Sequence, residues 1–152
     1  MSLEARLMDL IKKYPFTEVV DNGVEPWRKE GECWFEDLIS EYPGWEKIIL
    51  EFCEKMQNYL DSHKEEEEEF SIFQVKEKFG SIRFYAVAGL KVYEDINNIV
   101  HVLEKESGKT CMVCGKSAKT VEINGRIVTL CKDCEDVVSS KVKQAMKNLI
   151  LD

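Results

Sequence analysis

Apolar residues recur along this chain with two periods, one helical and one of strands. Leu3, Leu7, Leu10 and Ile11 fall on one side of a helix over residues 3 to 13, and Tyr14-Pro15 ends it. Residues 15 to 34 follow neither period. Pro15, Asn22-Gly23, Pro26 and Gly31 punctuate them, while Phe16, Trp27, Trp34 and Phe35 predict that the stretch is packed down. Glu36 to Ser40 read as a helical turn. After Pro43-Gly44 a long helix is expected from Trp45 to Ser62. Its stripe is Trp45, Ile48, Ile49, Phe52, Cys53, Met56, Tyr59 and Leu60. Glu65 to Glu69 form a frayed helix end or a solvated connection. Phe70 to Val87 read as two strands turning around Lys78-Phe79-Gly80-Ser81, with Phe79, Ile82 and Phe84 expected in the core. Val92, Ile96, Ile99, Val100 and Leu103 then mark a helix to about Glu106, closed by Ser107-Gly108.

The last third changes character. Lys119 to Ile123 and Arg126 to Leu130 flank Asn124-Gly125, the strongest short-range hairpin signal. Val137, Val138, Val142, Ala145, Met146, Leu149 and Ile150 mark a final helix. Acids sit in its first turn and lysines follow, as its dipole favours. The expected class is α+β: a small antiparallel hairpin packed by helices, with a C-terminal treble-clef-like finger in the order knuckle, hairpin, knuckle, helix. Residues 1–107 are expected to form an acidic α+β domain. Residues 108–152 are expected to form a finger module packed on its last helix, because the link at Gly108 is short.

The knuckles carry the chemistry. Cys111-Met112-Val113-Cys114 and Cys131-Lys132-Asp133-Cys134 are two CxxC pairs, and residues 115 to 130 separate them. Two cysteines three apart converge on one point when the backbone turns tightly, and Gly115 allows that turn. Cys111, Cys114, Cys131 and Cys134 are thus the expected ligands of a structural zinc. Spacing alone also admits iron in a rubredoxin-like centre; the intervening hairpin favours zinc. Nothing in Met1 to Arg6 resembles a secretory leader, so a cytoplasmic setting with reduced thiols is expected. No apolar run approaches a membrane span.

Charge is uneven around the net −8. Residues 1 to 69 hold 8 Lys and Arg against 19 Asp and Glu, a net −11; residues 108 to 152 hold 8 against 5, a net +3. Four thiolates on a divalent zinc remove most of that surplus, and Lys109, Lys116, Lys119 and Lys132 around the knuckles offset the thiolate charge. The acidic front repels phosphate and attracts a basic protein.

Gln74-Val75-Lys76-Glu77-Lys78-Phe79-Gly80-Ser81-Ile82-Arg83-Phe84-Tyr85 is distinctive. With Gly44-Trp45 upstream and Cys-x-x-Cys-Gly downstream, it resembles uncharacterised phage and prophage proteins carrying QxKEKFGxxRFY before a paired-cysteine finger. Ser81 and Ile82 stand where that pattern often has Gly and Leu. The resemblance implies a mobile-element accessory protein inside a bacterial cell, and brings no activity with it. From the residues themselves, a Glu77–Arg83 cross-strand ion pair would account for the charges. The functional counterpart is a cationic, aromatic patch of Lys76, Lys78, Arg83 and Tyr85 for an anionic ligand.

No catalytic constellation stands out. His63 and His101 are remote from the knuckles, no glycine loop cradles phosphate, and a fully ligated zinc has no open position. Cys53 lies on an apolar stripe, which leaves Cys33 as the only loose nucleophile. The expectation is a non-enzymatic, zinc-stabilised binding protein. Its expected partner is a host protein reached through the acidic front, such as a nucleic-acid enzyme. The alternative is a nucleic-acid-binding accessory protein using the hairpin and finger cations.

Overall fold

A computed structural model describes residues 1–67 and 69–151, excepting the side chains at 67, 150 and 151. Glu68 of the acidic run and the Ile150 side chain of the last helical stripe lie outside the described residues. The chain is α+β, with two separate two-stranded antiparallel sheets. α1 (Leu3–Lys13) is capped by Ser2, whose Oγ accepts from the Ala5 N–H at 3.1 Å. A 3-10 turn (Pro15–Thr17) and an irregular stretch lead to α2 (Glu36–Glu41). A second 3-10 turn (Pro43–Trp45) opens α3 (Glu46–Ser62), and the short α4 (Lys64–Glu67) follows. β1 (Ser71–Lys78) pairs with β2 (Ser81–Val87), and α5 (Tyr93–Ser107) runs beside them. β3 (Lys119–Ile123) pairs with β4 (Arg126–Leu130), and α6 (Lys132–Leu151) ends the chain.

The core forms where the α3 stripe meets the inner face of the first hairpin. Trp45, Ile49, Phe52, Cys53, Met56 and Leu60 are buried, as are Ile72, Val75, Ile82 and Phe84. Phe52 meets Phe84 edge-on at 5.0 Å, and Phe35 stacks on Phe84 at 6.1 Å. The hairpin's two outer edges are closed without further strands. The Ile82 and Phe84 N–H groups donate to Ser107 Oγ (2.7 Å) and Glu104 Oε2 (3.0 Å) on α5. On β1, the Phe73 carbonyl accepts from Val24 N at 3.1 Å, and the Arg28 guanidinium reaches the Val75 carbonyl. Arg28 is itself buried, paired with buried Glu25 and lying 5.4 Å over Trp34. These contacts satisfy groups that an open edge would expose.

Two aromatic expectations are corrected. Trp27 is 62% exposed rather than packed down, and Phe79 is 63% exposed rather than core. Phe79 occupies the tip of a two-residue hairpin, where it and Gly80 have φ of 52° and 84°. Turn residues leave the strand alternation, so an apolar residue there points away from the core. The expected Glu77–Arg83 ion pair is also absent. The register sets Glu77 opposite Ile82 and Lys76 opposite Arg83, so Glu77 and Arg83 face opposite sides of the sheet.

The cysteine-bearing segment meets this body by backbone contact with the Pro43–Trp45 turn. Gly44 N donates to the Met112 carbonyl at 2.8 Å. The fully buried Trp45 indole donates to the carbonyls of Thr110 (2.9 Å) and Ser107 (3.2 Å). A Cβ at position 44 would collide with the Cys111 carbonyl and lie 2.6 Å from Gly115 N. Both neighbours are backbone and cannot swing aside. Gly44→Ala is therefore expected to cost about 3 kcal/mol of stability, read as a lowered thermal midpoint with weakened metal retention; unchanged melting would refute this joint.

Candidate metal centre and hairpin face

Each knuckle is shaped by its own backbone. Cys111 N donates to the Lys116 carbonyl at 2.8 Å and Gly115 N to the Cys111 carbonyl at 3.0 Å, with Gly115 at φ 82°. The second pair straddles the start of α6, where Glu135 N donates to the Cys131 carbonyl at 2.8 Å. Between them Asn124 and Gly125, at φ 53° and 82°, make the tight turn of β3 and β4. The sulfurs of Cys111, Cys114, Cys131 and Cys134 come within 4.8 Å of one another, and Cys114 and Cys131 within 3.6 Å. Zn–S bonds of about 2.3 Å place tetrahedral sulfurs about 3.8 Å apart, so the donor set suits the metal. All six cysteines are free thiols.

Charge makes the same case. Burial opposes ionisation of Cys111, but backbone N–H groups of Cys114, Cys131 and Val113 outweigh it and bring that thiol down to about 6. Its neighbour is driven the other way: the bond with the Cys131 sulfur, then burial, push Cys134 up to about 12. Four sulfurs this close cannot all be thiolates without a cation between them. A divalent metal held by all four would supply it, and its four positions would then be filled.

The hairpin of β3 and β4 is also tied to the tip of the first hairpin. Thr129 on β4 is fully buried, and its Oγ1 donates to the Gly80 carbonyl at 2.6 Å. Glu77 Oε2 accepts from Gly80 N at 2.9 Å, and its other oxygen pairs with Arg126 of β4 at 3.5 Å. Arg126 also donates to the Tyr42 hydroxyl at 2.7 Å. Burial, then the Glu77 carboxylate, push the Tyr42 phenol up, so it stays protonated. Glu77 and Gly80 of the distinctive motif are thus explained by this joint.

The rest of the motif is not. Lys76, Lys78, Arg83 and Tyr85 share the outer face of the first hairpin, opposite the buried Val75, Ile82 and Phe84. Lys76 sits directly across from Arg83. Among the described residues, none of Lys76, Lys78 and Arg83 has a carboxylate at salt-bridge distance. The Lys76 ammonium lies 6.0 Å from the Tyr85 ring. The sequence reading missed Phe73. A bulge between Ile72 and Gln74 turns it outward, where it stacks on Tyr85 at 5.9 Å and 28°. No periodic signal marks such an insertion. Of the finger cations, Lys132 pairs with Asp136 at 3.2 Å and Arg126 with Glu77, while Lys116 and Lys119 are exposed.

Cys33 is buried, and burial pushes its thiol up to about 11; burial likewise raises Cys53. Neither environment suits a nucleophile. His63 is stacked on Tyr59 at 4.0 Å, with Nδ1 against the Tyr59 carbonyl at 2.9 Å. Among the described residues no helix is long and apolar enough to cross a membrane. The chain matches no protein family, no curated protein and no solved structure.

Chelation is expected to abolish the order of the knuckles and to shift Trp45 emission, because its indole bonds to the Thr110 carbonyl beside Cys111. Cys114→Ser should reproduce that shift and lose bound zinc, since metal binding supplies folding energy. Elemental analysis with Trp fluorescence reads both; full zinc content in the variant would overturn the ligand set.

Proposed function

We propose that the protein is a non-catalytic binding protein, stapled by a structural zinc, whose first hairpin presents its outer face to a single-stranded nucleic acid. One observation carries this reading: Lys76 and Arg83 face each other across the strands. Like charges directly opposite destabilise a sheet, and among the described residues no carboxylate stands at salt-bridge distance from either. A chain that keeps such an arrangement gains from it when a polyanion lies across the face. Phe73 and Tyr85 beside the cations offer stacking surfaces, the second element of single-strand recognition. Phe73 and Tyr85 are half-buried, and Phe79 adds an exposed ring at the tip, held at a positive φ that costs a bulky residue stability.

The net −11 of residues 1 to 69 disfavours phosphate on that part of the surface. The module boundary near Gly108 and the treble-clef description belong to this proposal; the order of knuckle, hairpin, knuckle and helix supports them. The motif's resemblance to phage and prophage proteins supports a mobile-element role in the bacterial cytoplasm. The second reading places a basic host protein on residues 1 to 69, and their net −11 supports it.

Titration of labelled oligo-dT and oligo-rU by fluorescence anisotropy separates the two. Binding is expected to weaken with salt, with a log–log slope of about 2 for three phosphate contacts. Arg83→Gln and Lys76→Gln should each reduce that slope by about 1 without lowering the melting temperature. Phe79→Gly should move stability and affinity in opposite directions, gaining roughly 1 kcal/mol of stability while binding weakens. Absence of binding at low salt, or binding indifferent to these substitutions, would sink the reading. Affinity for a protein partner that is lost on neutralising acids of α1 and α3 would establish the second reading instead.

A further inference from the structure

A cavity of about 310 Å³ opens beside β1, walled by α2 and by the irregular stretch around Trp27 and Arg28. That is the size of a small-ligand pocket. Lys76 lines it and also faces Arg83 across the strands, so the cavity continues the outer face of the hairpin. Four carboxylates and three cations line it. Such a balance gives phosphate no welcome and suits a neutral group that carries both donors and acceptors.

The fold leaves three groups in this cavity unused or nearly so. Tyr42, Glu77 and Arg126 are engaged with one another in the joint to β4. The Trp27 ring is not, and it is 62% exposed. The Arg28 side chain is only 2% exposed; its Nε is engaged by Glu25 and its Nη2 by the Val75 carbonyl. Among the described residues its Nη1 donates to nothing, yet that atom is not sealed from the cavity that Arg28 lines. A charged donor held in a protein interior calls for an acceptor. Beside it stands the Asp37 carboxylate, 59% exposed and 3.5 Å from Nη2.

A buried donor next to a carboxylate selects among the bases. Along its pairing edge guanine presents one acceptor, O6, and then two donors, N1–H and N2–H. Cytosine presents one donor and two acceptors, thymine and uracil one donor between two acceptors, adenine one donor and one acceptor. Only guanine places two donors where a carboxylate can take both, with a carbonyl left for the guanidinium. Unstacked bases are read in this manner, by an aromatic ring on the face and polar groups on the edge. We infer that the cavity seats a guanine of the strand that crosses the outer face. Its ring lies on Trp27, its O6 on Arg28 Nη1, and its N1–H and N2–H on Asp37. The inference rests on the proposed nucleic-acid function and adds a base preference to it.

Two measurements on the zinc-loaded full chain test it. By anisotropy, an oligo-dT with one central dG should bind about tenfold tighter than oligo-dT. Deoxyinosine in place of that dG lacks the N2 amine and should lose most of the gain. Asp37→Asn sets a donor where an acceptor is needed, and Trp27→Leu removes the stacking ring. Both side chains are exposed, so each variant should melt as the parent does while the preference for dG disappears. Oligo-dT bound with no preference for dG would overturn the guanine seat and leave the outer-face reading standing. The second measurement does not need the outer face. Guanosine monophosphate should quench tryptophan emission more than the adenosine, cytidine and uridine monophosphates, which carry the same phosphate, and the quench should be missing from Trp27→Leu. An equal response to all four would overturn the seat, whether or not oligo-dT binds.

Discussion

The fold depends on one close approach of backbone to backbone. Gly44 lies against the carbonyl of Cys111 and the amide of Gly115, and Gly115 at φ 82° presents its own amide back to that turn. Gly44 is set by contact, because a Cβ there would collide with the Cys111 carbonyl, and Gly115 is set by its positive φ, with the Gly44 carbonyl 3.0 Å from where its Cβ would stand. Trp45 follows at once and spends its only donor on the carbonyls leading into the knuckle. The start of the central helix and the first half of the metal centre are therefore one object. Loss of order in the knuckle reaches α3 through a tryptophan with no exposed surface.

A second joint, made of side chains, repeats this coupling on the other face. Thr129, Glu77, Arg126 and Tyr42 clamp the Gly80 turn between α2 and β4. The clamp explains how the tip tolerates Phe79 at a positive φ. Gly80 is held by both of its backbone polar groups, and Phe79 is carried along with it. Strain of this kind persists only where the surroundings over-determine it, and here the surroundings include the metal-bearing hairpin. Four cysteines far from the outer face thus help to set the position of an exposed aromatic ring at its end.

Electrostatics divides the molecule by sign. Residues 1 to 69 are acidic, residues 108 to 152 are mildly basic, and between them the first hairpin turns two opposed cations outward. The buried cation Arg28 is paired with Glu25, and Arg6 meets Glu46 at 3.1 Å. Lys76 and Arg83 are set apart by facing each other directly across the strands. Such departures from local consistency concentrate where a protein meets something else.

Much was legible from the chain alone. Helical periods located α1, α3 and α5 to within a residue or two, Asn124-Gly125 announced its turn, and two CxxC pairs named the four cysteines whose sulfurs come together, because these signals are local and depend on near neighbours. The four hairpin residues proposed for an anionic ligand could be named from sequence but not weighed. Glu77 looked like the partner of Arg83 until the register set them on opposite sides of the sheet. Phe79 and Trp27 looked like core because apolar character does not reveal whether a residue sits in a strand or at a turn. The pressing of Gly44 on Cys111, the bulge that turns Phe73 outward and the exposed end of α6 were decided by tertiary structure alone. Each depends on which surfaces meet across a long span of sequence, and no local period records that.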